Sequence, residues 1–143
     1  MSQRPVGREP ITNRQLKGYA TGLVCGVAVV QVQVALLADS RPNLVTWLLL
    51  MGVGICALAF CLRHRTALRL RAYGNFFAHV LTYVIVNGFF WGHAAVLGLS
   101  GRGEVLTPGW FGALVPLSVL WGIGLVVHTF GALTSRGYDD VAV

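Results

Sequence analysis

The sequence predicts an all-α integral membrane protein: four transmembrane helices in two antiparallel hairpins, with both termini cytoplasmic. Three observations carry this expectation. The 143 residues are 55% hydrophobic and only 11% charged, with a mean hydropathy of +0.68, whereas a soluble domain carries about 25% charged residues. Four apolar segments, at 19–38, 44–62, 76–99 and 110–133, each provide close to the 20 or so residues that cross a hydrocarbon core. The charges are also segregated. Nine of the eleven basic residues (Arg4, Arg8, Arg14, Lys17, Arg63, Arg65, Arg69, Arg71 and Arg136) precede the first segment, join the second to the third, or follow the fourth. Only Arg41 and Arg102 fall in the other two connections. The positive-inside rule assigns the arginine-rich side to the cytoplasm. The net charge of +6 is therefore a topology signal and points to no nucleic-acid partner.

Residues 1–18 form a polar cytoplasmic tail containing Pro5 and Pro10, helical from about Thr12. The tail lacks the apolar core of a secretory leader. Residues 19–62 are the N-terminal hairpin. Its connection Asp39-Ser40-Arg41-Pro42-Asn43 is a compact turn, because a residue before proline leaves the helical region. Residues 63–75 are a basic cytoplasmic link, expected to run on as helix until Gly74-Asn75 breaks it. Residues 76–133 are the second hairpin, whose connection at 100–104 is glycine-rich. Thr107-Pro108 reads as an N-cap followed by proline at the first helical position, and Pro116 removes one backbone hydrogen bond inside the span. Residues 134–143 are a short cytoplasmic tail. Trp47, Tyr73 and Trp110 fall at expected water–lipid boundaries, where amphipathic rings are favoured.

No carboxylate lies inside a span: Glu9, Asp39, Glu104, Asp139 and Asp140 are all in tails or loops. An enzyme or a carboxylate proton relay is therefore not expected. Cys25, Cys56 and Cys61 are odd in number and form no CxxC pair, so neither a disulfide framework nor a zinc site is indicated.

The chemistry lies in two stripes. At about 100° per residue, His79, Tyr83, Asn87, Phe90 and His93 share a sector of about 120° on the third span. Leu117, Trp121, Gly124 and His128 share another on the fourth. Polar groups in hydrocarbon need partners, so the stripes are expected to face each other. In an antiparallel hairpin His79 and His128 then reach the same membrane depth. Three readings of the pair stay open: an interhelical hydrogen-bond network with Tyr83 and Asn87, ligation of haem or a transition metal by His79 and His128, or a pH switch. Two histidines alone leave a metal site incomplete. Haem between adjacent helices also meets a spacing of about 8–10 Å. Gly22 with Gly26, and Gly88 with Gly92, make GxxxG pairs; Gly122 and Gly124 likewise remove bulk. These faces suit bundle packing, self-association or docking in a larger membrane complex. Gln31 and Gln33 lie on different faces of the first span and need partners of their own.

The pattern Phe76-x-x-His79-x-x-x-Tyr83-x-x-x-Asn87, then Trp110-Phe111, then Trp121-Gly122-Ile123-Gly124-Leu125-x-x-His128 resembles the bacterial two-transmembrane-helix (2TM) domain family over roughly residues 65–133. Arg69-x-Arg71 and Gly74 fit its basic lead-in. The resemblance implies a helical hairpin of the kind found in small bacterial inner-membrane proteins and attached to signalling proteins such as histidine kinases. It also implies that His79, Tyr83, Asn87, Trp121 and His128 are the residues to test. Two departures are visible. Trp91-Gly92-His93 stands where the family often carries a second asparagine, and a further hairpin precedes the domain. The function expected is a non-enzymatic sensory or accessory module responding to pH or a small ligand. A small haem or metal protein and a structural subunit are the alternatives.

Overall fold

The computed structural model describes residues 9–101 and 107–134, apart from the side chain of Leu120. The outermost tail residues, the 102–106 segment and the C-terminal tail, with Arg4, Arg8, Arg102, Glu104, Arg136, Asp139 and Asp140, lie outside the described residues.

Helix α1 (Asn13–Leu37) starts at a capping box in which the Thr12 hydroxyl accepts from the Gln15 amide at 3.2 Å and Gln15 Oε1 accepts from the Thr12 amide at 2.9 Å. Asp39 and Ser40 both take positive φ (50° and 56°) to reverse the chain, a conformation that small polar residues tolerate best. A second capping box, Asn43 with Thr46, opens α2 (Leu44–Arg63). The link carries a single short helix, α3 (Arg65–Arg69). Here the expectation needs correcting, because Gly74 does not break a helix but begins one. Tyr73, at φ 58°, makes the turn, and α4 runs Gly74–Ser100. Only glycine fits at 74, since a Cβ there would overlap the Leu68 carbonyl oxygen. Helix α5 (Pro108–Thr134) begins as expected: the Trp110 amide donates to the Thr107 hydroxyl at 3.4 Å, and Pro108 is the first helical residue.

Helices α1, α2, α4 and α5 are each long and apolar enough to cross a membrane, and no strand occurs among the described residues. The chain is a multi-pass membrane protein. Its outer faces carry apolar side chains such as Leu36, Val84, Leu99 and Val127, which suit contact with lipid.

Helix α1 packs between α2 and α4, and α4 packs between α1 and α5. Two apolar cores hold this row together. The first draws on all four long helices at helical spacing: Val27, Val30 and Val34; Leu50; Val86, Phe90, Ala94 and Leu97; Trp110, Ala113, Leu114 and Leu117. The second lies at the end carrying the basic link and comprises Ile11, Leu16, Tyr19, Leu23, Ala57, Leu68 and Ala78. None of these residues comes from α5. At the opposite end α5 leans on the α1–α2 turn, where a Cβ on Gly109 would lie 2.6 Å from the Pro42 carbonyl oxygen and Trp110 Nε1 donates to the Ser40 carbonyl at 2.9 Å. Trp110 is thus a core residue, 1% exposed, and not a boundary anchor.

Candidate functional site

His79 sits in the second turn of α4 and His128 in the last two turns of α5. Their rings meet nearly parallel, with centroids 3.9 Å apart and planes 12° from coplanar. The two stripes therefore face each other at this level. His79 is half-buried and His128 exposed. Neither imidazole makes a hydrogen bond among the described residues.

No residue of α5 belongs to the second core, and a cleft of about 270 Å³ opens between α5 and α2, floored by α4 and Tyr19. His79, Tyr83, Trp121 and His128 line it, together with Thr82, Gly54, Ala57, Leu58, Cys61, Gly124 and Leu125. The floor is pinned. Tyr19 stacks on Phe60 at 4.2 Å, and the Thr82 hydroxyl spends its proton on the Ala78 carbonyl at 2.7 Å. The Tyr19 hydroxyl must therefore donate to Thr82, at 2.6 Å. The ring of Tyr83 lies over Gly122, where an added Cβ would sit 3.8 Å from Cε2.

Asn87 is not part of the cleft, and the expected network takes a different course. Trp91 Nε1 donates to the Ser118 hydroxyl at 3.0 Å, Ser118 donates to Asn87 Oδ1 at 3.0 Å, and Asn87 Nδ2 donates to the Tyr83 carbonyl at 3.0 Å. The physical reason is reach: one turn above Tyr83, Asn87 faces the small Ser118, whereas the histidines meet flat and offer each other no ring-edge contact. Asn87→Leu is expected to cost under about 2 kcal/mol in detergent unfolding. Bonds of this kind average about 0.6 kcal/mol in membranes, and Ser118 can turn its proton to its own helix backbone.

His93 belongs to a separate cluster. Its Nδ1 donates to Gln31 Oε1 at 2.6 Å, and its ring meets Trp110 edge-on at 5.2 Å. Gln33 Oε1 accepts from the buried Thr46 hydroxyl at 2.8 Å. Of the six candidate packing glycines, Gly26 packs against Val53 (3.2 Å from its Cβ position) and Gly122 against Tyr83. A Cβ on Gly22, Gly88, Gly92 or Gly124 would meet nothing within 4 Å. Inside one chain, these four make no close helix contact.

Haem and metal fit the pair poorly. Axial haem ligands oppose each other across the iron, whereas these rings lie face to face. A structural zinc needs four ligands, and no group of three or more His, Cys, Asp or Glu suited to a metal occurs among the described residues.

Tyr19, Thr82 and Ser118 were not among the candidates. Ser118 had a signal, since it precedes Trp121 by three residues and His128 by ten, on the same helical face. Tyr19 and Thr82 are 63 residues apart and had none.

Among known proteins, the family model described as "2TM domain" matches residues 64–140. No curated protein and no solved structure matches the chain.

Proposed function

The chain belongs to the 2TM domain family, and from that premise we propose that it is a non-enzymatic sensory or accessory module of a bacterial inner membrane, with the His79/His128 pair as its responsive element. In this reading the helices form two antiparallel hairpins with both termini cytoplasmic. Two features support that topology: the basic residues gather at one end, and Tyr19 near the start of α1 lies on Phe60 near the end of α2. The open glycines at 22, 88 and 92 are where a second copy, or another membrane subunit, would pack.

The observation that carries the proposal is the face-to-face imidazole pair at 3.9 Å, neither ring hydrogen-bonded among the described residues. The remaining titratable groups on the cleft are Tyr83 from α4, Cys61 from α2 and Tyr19 from α1. Among the described residues no carboxylate or arginine lines it. A proton on each ring puts two positive charges about one ring spacing apart. At an effective dielectric of 20 they repel by about 4 kcal/mol. Moving α5 away from α4 relieves this repulsion, and no residue of α5 belongs to the second core. Acid is therefore expected to splay the basic ends of α4 and α5.

Spin labels at Phe77→Cys and Val127→Cys, in a chain whose native cysteines are alanine, test this. Between about pH 8 and about pH 5, where histidine changes charge, the label distance is expected to grow by a few ångström. His128→Gln is expected to abolish the change. An unchanged distance, or the same growth in His128→Gln, would sink the proposal.

A further inference from the structure

The cleft holds three groups that can both donate and accept and that have no partner among the described residues, the His79 ring, the His128 ring and the Tyr83 hydroxyl, and the Trp121 indole N–H is a further donor without one. Polar side chains facing hydrocarbon are costly when unpaired, and four on one small cleft ask for an occupant. The position of the cleft says how an occupant would arrive. Its walls are α2 and α5, which make no backbone approach to each other along the spans. No residue of α3 or the link lines it. The opening is thus sideways, toward the lipid. Its lining is mostly apolar, and a volume of about 270 Å³ falls near the lower end of small-molecule pockets, about 300 Å³. That is room for one or two flat rings.

We propose that the cleft binds the headgroup of a membrane-soluble quinone, its ring oxygens hydrogen-bonded by His79, Tyr83 and His128 and its ring flanked by Trp121. An imidazole carries both a donor and an acceptor nitrogen, and a phenol also does both. The same three groups can therefore serve the carbonyl oxygens of the quinone and the hydroxyls of the quinol. Flat aromatic walls favour a flat ring, and the sideways opening leaves the isoprenoid tail in the bilayer. This site rests on the reading of the histidine pair as the responsive element, and it names the ligand that would bias the pair.

The probe is decylbenzoquinone, titrated into the full chain in phosphatidylcholine nanodiscs, with tryptophan fluorescence as the readout. Saturable quenching is expected. Gly124→Leu and Gly54→Leu fill the cleft from opposite walls at positions where a Cβ meets nothing within 4 Å. Each is expected to weaken binding by about tenfold or more, and Tyr83→Phe by a smaller factor. Quenching that rises without saturation and is equal in wild type and Gly124→Leu would overturn the site. Displacement of the quinone by decylbenzene at equal concentration would also overturn it, because the cleft would then take any hydrocarbon. The label distance in quinone-free nanodiscs separates the two proposals: if pH still splays α4 and α5 while quinone does not bind, only the ligand is wrong.

Discussion

Trp110→Ala is expected to lower the unfolding free energy in detergent by about 3–5 kcal/mol, the range for truncating a fully buried tryptophan. The indole is 1% exposed. It meets Phe90 edge-on at 6.2 Å and His93 at 5.2 Å, and donates to the Ser40 carbonyl. Interior packing is close, so the surrounding helices cannot collapse fully into the space left behind. The position makes the loss larger than area alone suggests. Helix α5 has only α4 at backbone distance along the membrane, and its N-terminal turn carries its hydrogen bond to the α1–α2 half. Trp110→Phe keeps most of the ring contact and loses one hydrogen bond, so it is expected to cost about 1 kcal/mol more than packing requires. A Trp110→Ala chain whose thermal unfolding matches wild type to within about 1 kcal/mol would mean that α5 is held elsewhere.

The second large effect is expected at Gly74. Alanine there would drive its Cβ into the Leu68 carbonyl, with Arg71 Cβ 3.2 Å away on the other side. Backbone cannot turn aside as a flexible side chain can. Relief requires α3 to lift from α4, which uncovers Leu68, fully buried in the second core. Overpacking of this kind costs about 1–3 kcal/mol. Gly88→Ala is the control: its Cβ meets nothing within 4 Å, and alanine favours a helix over glycine by about 1 kcal/mol. It is expected to leave the isolated chain as stable or slightly more so. Thermal unfolding of both variants in one detergent checks the contrast. Equal destabilisation would show that Gly88 is packed against something, a second copy being the first suspect.

Two of the sequence-based expectations met different fates for one reason. His79 and His128 could be paired from spacing, because helical periodicity fixes which side chains share a face and an antiparallel reversal fixes which depths coincide. The route of the Asn87 bonds could not be read the same way. It depends on which α5 side chain stands opposite Asn87, here Ser118, and on the imidazoles meeting flat on each other. Trp110 shows the same limit. Its place at the end of a span suggests a boundary anchor, but the turn at Asp39 and Ser40 swings a carbonyl over it and makes it core.

What the sequence by itself determined is the four long apolar helices, the cap at Thr107, and the faces they present. These follow from local chemistry: apolar length, capping side chains, proline and the 3.6-residue repeat. Only the tertiary structure decided that no residue of α5 joins the second core, that a cleft lies between α2 and α5, and that Tyr19 and Thr82 form its floor. Those outcomes depend on how far apart four helices settle, and that distance is set by side chains from all of them at once.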